Sequence, residues 1–351
     1  MEPLDGPIAL TVPALELVTM PIIEEECTMS LLRCRITGNW SSDFGGGLRA
    51  GACGTLTLDD CVISGNSAGG LYGAEGGRLL FGGERLEMTG CSFKGNRAAG
   101  DDAGGDGGGL LLHSPSAYIQ RRVFSGNSAV LYDARQGASG GAIYLSSGSL
   151  VMEHCTIRNN RATSFNESQG GGLIATGGVA SLNNCIIAGN RATGEPGTKG
   201  GGLHGPVELS NCTIVDNVAD NDTSATGGGI FGAATLTNCI LWGNLPNQIA
   251  NASVVTYCDV QDGHSGAGNF SSTPRFTSWG DLDYLLQPLD RWVGDTFVPR
   301  SPCIDAGDPT IEDGVFDLHP RWPDHFPNAA RSDDPRPSSR SCSIPRGCSP
   351  R

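Results

Sequence analysis

Side chains able to do chemistry collect in five stretches of the chain, residues 97–106, 128–139, 161–169, 191–199 and 218–226. These stretches carry Asp101, Asp102 and Asp106, then Tyr132, Asp133 and Arg135, then Phe165 and Glu167, then Asp220, Asn221 and Asp222. Carboxylates of this kind, brought together, could hold calcium, which takes six to eight oxygen ligands. With an Arg or Lys nearby to take a proton, a calcium-held acidic sugar could undergo elimination. Two acids at a defined separation could instead hydrolyse a glycosidic bond. Acids and rings without such an arrangement could still form a surface for a glycan or a protein. Neither Asp101/Asp102/Asp106 nor Asp220/Asp222 has the spacing of an EF-hand loop, so calcium there has no motif behind it, and no other cofactor is implied. The plain alternative is a set of solvated loops in an acidic protein.

What positions these stretches is a repeat. Aligned on one slot, the chain reads Cys34, Cys61, Cys91, Arg122, Cys155, Cys185, Cys212 and Cys239, at intervals of 27 to 33 residues. Five residues after the slot stand Asn39, Asn66, Asn96, Asn127, Asn160, Asn190, Asn217 and Asn244. Two residues after it comes Ile, Phe or Leu, and three before it Leu, Met or Ile. A fixed period of this length is the signature of a solenoid. Each copy holds two short alternating segments, such as Leu56-Thr-Leu58 and Cys61-Val-Ile63, and a third after a glycine run, such as Gly171-Gly172-Leu173. Alternation describes strands with one buried face. Three strands and three bends per copy predict an all-β parallel β-helix of about eight rungs, roughly 38 Å long at ~4.8 Å per rung.

Within such a coil the recurring asparagine is expected to form a stacked amide ladder, with the corner favouring residues that tolerate a left-handed backbone. The glycines belong at bends. The cysteines share parity with the Ile/Phe column and read as small buried hydrophobes. Stacked on one face they all point the same way, so thirteen cysteines do not announce disulfides or fix the redox compartment.

The outward positions along the cysteine strand are Arg33/Arg35, Asp60/Val62, Gly90/Ser92, Arg121/Val123, His154/Thr156, Asn184/Ile186, Asn211/Thr213 and Asn238/Ile240. Asp60 is the single acid among them, too little for a calcium-dependent elimination site. Asp59-Asp60 are neighbours and point to opposite sides of a strand. Of six histidines, His319 and His325 lie near Asp317 and Asp324, a spacing that could hold zinc but in a proline-rich stretch. Trp40 and Trp242 could stack on sugar rings or simply pack.

A net charge of −14 with only two lysines argues against nucleic acid and anionic membranes as partners. No apolar run is long enough to span a bilayer as a helix, and Met1-Glu-Pro-Leu-Asp is unlike the start of a signal peptide. The order along the chain reads as follows: residues 1–26 an irregular strand region, with a missing upstream part expected; 27–263 the coil; 264–318 a C-terminal cap; 319–351 a Pro/Ser/Arg-rich tail of disordered composition.

Phe93-Lys-Gly-Asn96, Phe124-Ser-Gly-Asn127 and Gly140-Gly-Ala-Ile143 resemble the repeats of chlamydial polymorphic outer-membrane proteins. More closely, the chain resembles bacterial secreted right-handed β-helix proteins of the pectin-lyase-like type that end in a "choice-of-anchor" segment. Ser301-Pro-Cys-Ile-Asp-Ala-Gly-Asp308, preceded by the stretch Pro274 to Pro288, carries that likeness, although residues 289–300 are an insertion against its pattern. The resemblance implies a right-handed coil and a secreted or cell-surface location. It also implies one of two functions. The first is a non-catalytic, adhesin-like monomer presenting its loops to a polysaccharide or a surface protein. The second is a polysaccharide lyase built on the loop edge, and since no carboxylate cluster with an Arg spans adjacent rungs, the first is the expectation.

Overall fold

The computed structural model describes residues 8–307 other than 14–15, 18–21, 24–26, 43–44, 52–53, 71–73, 76–78, 101–104, 114–115, 133–136, 221–223, 252–253, 278–283, 287–290, 294–295 and 304–305. His319, His325, Asp317, Asp324 and the 319–351 tail lie outside the described residues.

The chain winds as a parallel coil. The segment before the cysteine slot (Thr55–Asp59, for example) builds a ten-stranded sheet, and the segment after it (Val62–Ser64) builds another of ten. The segment after the glycine run (Leu173–Ala175) builds a nine-stranded sheet. Register is exact in type: Leu58 lies beside Met88, Met88 beside Ile119, and Ile63 beside Phe93. Strands Ile8–Pro13, Glu16–Leu17 and Ile22–Ile23 each add one member to a sheet at the N-terminal end.

All three anticipated strands are present, and a fourth is added. It comprises the two to four residues after the ladder asparagine, as in Arg97–Gly100 and Arg161–Thr163, and forms a seven-stranded sheet. The sequence reading placed these residues in the variable loop because their alternation runs through alanine, a weak strand signal. Ala68, Ala98, Ala129, Ala162, Ala192 and Ala219 form a fully inward column there. Space explains the choice of alanine. This strand lies flat on the glycine run of the preceding rung, so that a Cβ at Gly171 would sit 2.3 Å from the Arg191 carbonyl carbon.

Three corners per turn take left-handed backbone. One is the first glycine of the run, as at Gly170 (φ +60°), where an added Cβ would also meet Leu173 O at 2.5 Å. A second precedes the ladder asparagine, with Gly in most rungs but Asn159 and Asp216 in two. The third is the residue before the cysteine slot: Arg33, Asp60, Gly90, Arg121, His154, Asn184, Asn211, Asn238 and Tyr257, the non-glycine members at φ of 50–55°. The ladder asparagines themselves are not left-handed; the residue ahead of each one turns the corner.

The core is a continuous stack of like side chains. Cys61, Cys91, Cys155, Cys185, Cys212, Cys239 and Cys258 are buried free thiols, and Phe93 lies parallel to Phe124 at 4.7 Å, the spacing of the rungs. Each fully buried Leu, Ile or Phe contributes about 1.5–3 kcal/mol.

From Asn127 to Asn244 the amide ladder is unbroken. Asn160 Oδ1 accepts from Asn127 N and Asn127 Nδ2, each at 2.9 Å, while Asn160 Nδ2 donates to Asn190 Oδ1 at 2.9 Å and to Phe124 O at 3.0 Å. Past Asn244, where no further asparagine follows, Gln248 Oε1 accepts from Asn244 Nδ2 at 2.6 Å and closes the column.

Two stability tests follow from these contacts. Asn160→Ala strips four buried hydrogen bonds and orphans their partners, so it lowers the free energy of unfolding by about 3 kcal/mol, read from denaturant midpoints. His154→Asn gives the left-handed corner the residue that the next three rungs already use, and raises stability by about 0.5–1 kcal/mol in the same measurement.

Candidate functional site

The loops leave the coil through the fourth strand and return through a line of bridged residues, Asp106, Ser139, Gln169, Lys199 and Thr226, just before the glycine run. Both legs are therefore tied to neighbouring rungs along one edge of the coil. Of the acids and rings expected on it, Asp106, Tyr132, Glu167 and Asp220 are placed there. Asp101, Asp102, Asp133 and Asp222 lie outside the described residues.

The placed groups do not gather into a single acidic centre. Glu167 Oε1 pairs with Lys199 Nζ at 2.8 Å and accepts from Gln169 Nε2 at 2.5 Å. Asp220 is ion-paired with Arg191. The Tyr132 hydroxyl meets the Arg97 guanidinium, whose carbon lies 5.6 Å from the ring centroid. Among the described residues no three His, Cys, Asp or Glu side chains converge as a cation site requires.

What the edge does hold was missed in part by sequence reasoning. The first residue of the fourth strand points outward, and pairing puts Trp40, Ser67, Arg97, Ser128, Arg161, Arg191 and Val218 in one column. Three arginines thus share one line in an acidic protein. Their signal was the recurrent Asn-Arg-Ala triplet at 96–98, 160–162 and 190–192. Exposed rings accompany them: Trp40 is 68% exposed, Tyr132 51% and Phe165 70%. Further along, Lys199 Nζ sits 5.5 Å from the centroid of Phe231, whose ring meets His204 edge-on at 5.1 Å.

The outer face of the sheet after the cysteine slot divides in two. On its second to sixth strands Arg35, Val62, Ser92, Val123 and Thr156 are half-buried or exposed. On the next three Ile186, Thr213 and Ile240 are buried, as is Asp259 on the last. Phe276, Tyr284, Leu286 and Cys303 of the C-terminal segment cover them, together with Trp242. The Tyr284 hydroxyl donates to Asp216 Oδ2 at 3.1 Å. Phe270 meanwhile bridges to Asp259 of the same sheet, with Phe270 N donating to Cys258 O at 3.0 Å. Cys303 Sγ donates to the buried Asp259 Oδ2 at 3.0 Å, and burial raises the Asp259 carboxyl above its ordinary range.

A family profile described as "right handed beta helix region" matches residues 22–262, the whole of this coil. The chain belongs to the right-handed β-helix family. No curated protein shows detectable similarity to it. The family includes pectate-lyase-like members. No helix among the described residues is long and apolar enough to cross a membrane.

His204 gives the edge a pH response. Burial first, then the charge of Lys199, lowers its pKa from 6.5 to about 4. The unfolded chain therefore binds the extra proton between those values, so the stabilisation is full above pH 6.5 and is lost as pH falls towards 4. His204→Phe, which continues the line of Ile174 and Phe231, flattens that part of the stability-against-pH curve, read from melting temperatures across the range.

Proposed function

We propose that this is a non-catalytic, adhesin-like binding protein, secreted or displayed at a cell surface, that holds a glycan or a partner protein along its loop edge. The observation that carries this reading is the sorting of the aromatic rings. Trp40, Tyr132 and Phe165 stand exposed on that one edge beside the arginine column, while Trp242 is packed under the C-terminal segment. Exposed aromatic side chains flanked by charges are the usual anchors of a recognition surface, and a sugar ring's apolar face stacks on them. The legs of the loops are hydrogen-bonded to the neighbouring rungs, so little ordering cost falls on the side chains they carry.

The polysaccharide-lyase alternative draws on the family alone. An elimination site needs carboxylates for the cation and a base beside them. Arg35, Val62, Ser92, Val123 and Thr156 on the uncovered strands of the outer sheet include no acid, Asp60 stands alone at the corner beside them, and Glu167 and Asp220 are paired with Lys199 and Arg191. The likeness of residues 301–308 to an anchor-type segment agrees with a surface role.

The test is a panel of neutral and uronate polysaccharides, run both for retention of the protein and, with calcium, for absorbance of an unsaturated product. Retention without new absorbance is expected, and Trp40→Ala and Phe165→Ala each weaken it by roughly fivefold to tenfold. New absorbance that a chelator abolishes would overturn the reading and locate a lyase. Retention unchanged in both variants would remove the loop edge as the binding surface.

A further inference from the structure

Where the sheet after the cysteine slot turns into the fourth strand, the residues on either side of the ladder asparagine alternate from rung to rung. Four consecutive rungs read Ser64-Gly-Asn-Ser67, Lys94-Gly-Asn-Arg97, Ser125-Gly-Asn-Ser128 and Arg158-Asn-Asn-Arg161. The first and last residue of each quartet face outward, since the neighbours beyond them, such as Phe93 before Lys94 and Ala98 after Arg97, are the inward ones. Register sets like positions side by side. Ser64, Lys94, Ser125 and Arg158 form one column. Ser67, Arg97, Ser128 and Arg161 form the other. The corner is therefore a ridge along the coil, on which a pair of cations and a pair of hydroxyls take turns.

The ridge carries no acid of its own. Neither column contains a carboxylate from Thr37 and Trp40 at one end to Ala188 and Arg191 at the other. The side chains of Lys94 and Arg161 are exposed and have no hydrogen-bond or ion-pair partner among the described residues. Arg97 is held by the Tyr132 hydroxyl, a neutral group that does not cancel its charge. The next rung differs: Arg191 is paired with Asp220, and the residue across the corner from it is Ala188. In a chain of net charge −14, cations gathered in columns without an acid set up a local potential opposite to that of the whole protein. The two cation pairs are two rungs apart, so they recur at about 10 Å with the hydroxyls midway.

We propose that this ridge binds an acidic glycan whose charged groups stand on alternate sugars. The chain runs along the coil, with one anion at Lys94 and Arg97, the next at Arg158 and Arg161, and the neutral sugar between them on Ser125 and Ser128. This rests on the reading of the loop edge as a glycan surface, and it specifies the ligand of that surface. A repeat of about 10 Å is close to the length of one disaccharide in an extended chain. Each anion is met from both sides of the ridge, and the planar fork of an arginine engages two of its oxygens at once. Serine hydroxyls donate and accept, which suits the hydroxyl or amide groups of an uncharged sugar. A glycan charged on every sugar would set alternate anions against the serines, where no cation offsets their desolvation. Trp40 stands two rungs before Arg97 in the same column, exposed, and gives the preceding disaccharide an aromatic face to stack on.

The experiment measures binding of the full-length protein to three soluble chains of matched length. They are hyaluronan, with a carboxylate on every second sugar; polygalacturonate, with one on every sugar; and dextran, with none. Hyaluronan is expected to bind most tightly although polygalacturonate is the more highly charged, and to weaken as salt is raised. Lys94→Ser with Arg97→Ser gives that rung the residues of its two neighbours, so the melting temperature is unchanged while hyaluronan binding falls by about tenfold or more. Ser125→Lys with Ser128→Arg fills the gap between the cation pairs and shifts the preference towards polygalacturonate. Polygalacturonate bound as well as hyaluronan, or better, by the wild type overturns the inference and leaves the loop edge as a glycan surface. Binding that the Lys94/Arg97 variant leaves unchanged while Trp40→Ala abolishes it does the same. Silence towards all three chains overturns the inference and the glycan reading of the loop edge together. If a polyglutamate peptide is then retained through Lys94 and Arg97, the ridge belongs to an acidic protein partner instead.

Discussion

Parallel strands one turn apart depend on each other for every backbone hydrogen bond, and that dependence fixes the rest of this molecule. A rung cannot satisfy its own N–H and C=O groups, so each must present the same path to the rung above and the rung below. Corners must then repeat in place and in hand. Three of them per turn are left-handed. Where glycine fills such a corner the cost is small; Arg121, His154 and Tyr257 carry it against their own preference, which they can do only because the strands on either side are held in register.

The same constraint explains which parts of the fold were legible. A residue type that must match its neighbours at ~4.8 Å becomes a column, and a column is visible in sequence as a period. The asparagine ladder, the cysteine column and the three principal sheets could all be read this way, and the right-handed coil is what the structure contains. The fourth strand was not legible, although it repeats just as faithfully, because its inward residue is alanine and its partner surface is the glycine run of another rung. Local propensity carries no trace of a requirement that arises from a 2.3 Å approach between segments roughly twenty residues apart.

Features that do not repeat were harder still. The segment after residue 264 reads as a cap in sequence, and of its described residues Phe276, Tyr284, Leu286 and Cys303 pack against the outer face of the last rungs of the sheet after the cysteine slot. Among its partners there, Val215 and Trp242 continue a column that the first rungs fill with Thr37, Ser64, Lys94, Ser125 and Arg158. In hindsight that switch from polar to apolar on the outer face was the signal. On the loop edge, acids drew attention as candidate ligands, but Glu167 and Asp220 turn out to serve Lys199 and Arg191. The rings and the arginine column define the edge instead.

Arg122 shows what a column can tolerate. Any residue placed in the cysteine slot must accept a backbone N–H from the rung before and fill the volume of a thiol, and a guanidinium does neither. The coil accommodates it by letting the side chain lie along its axis, where the space above Cys91 and the carbonyl of Leu58 are available.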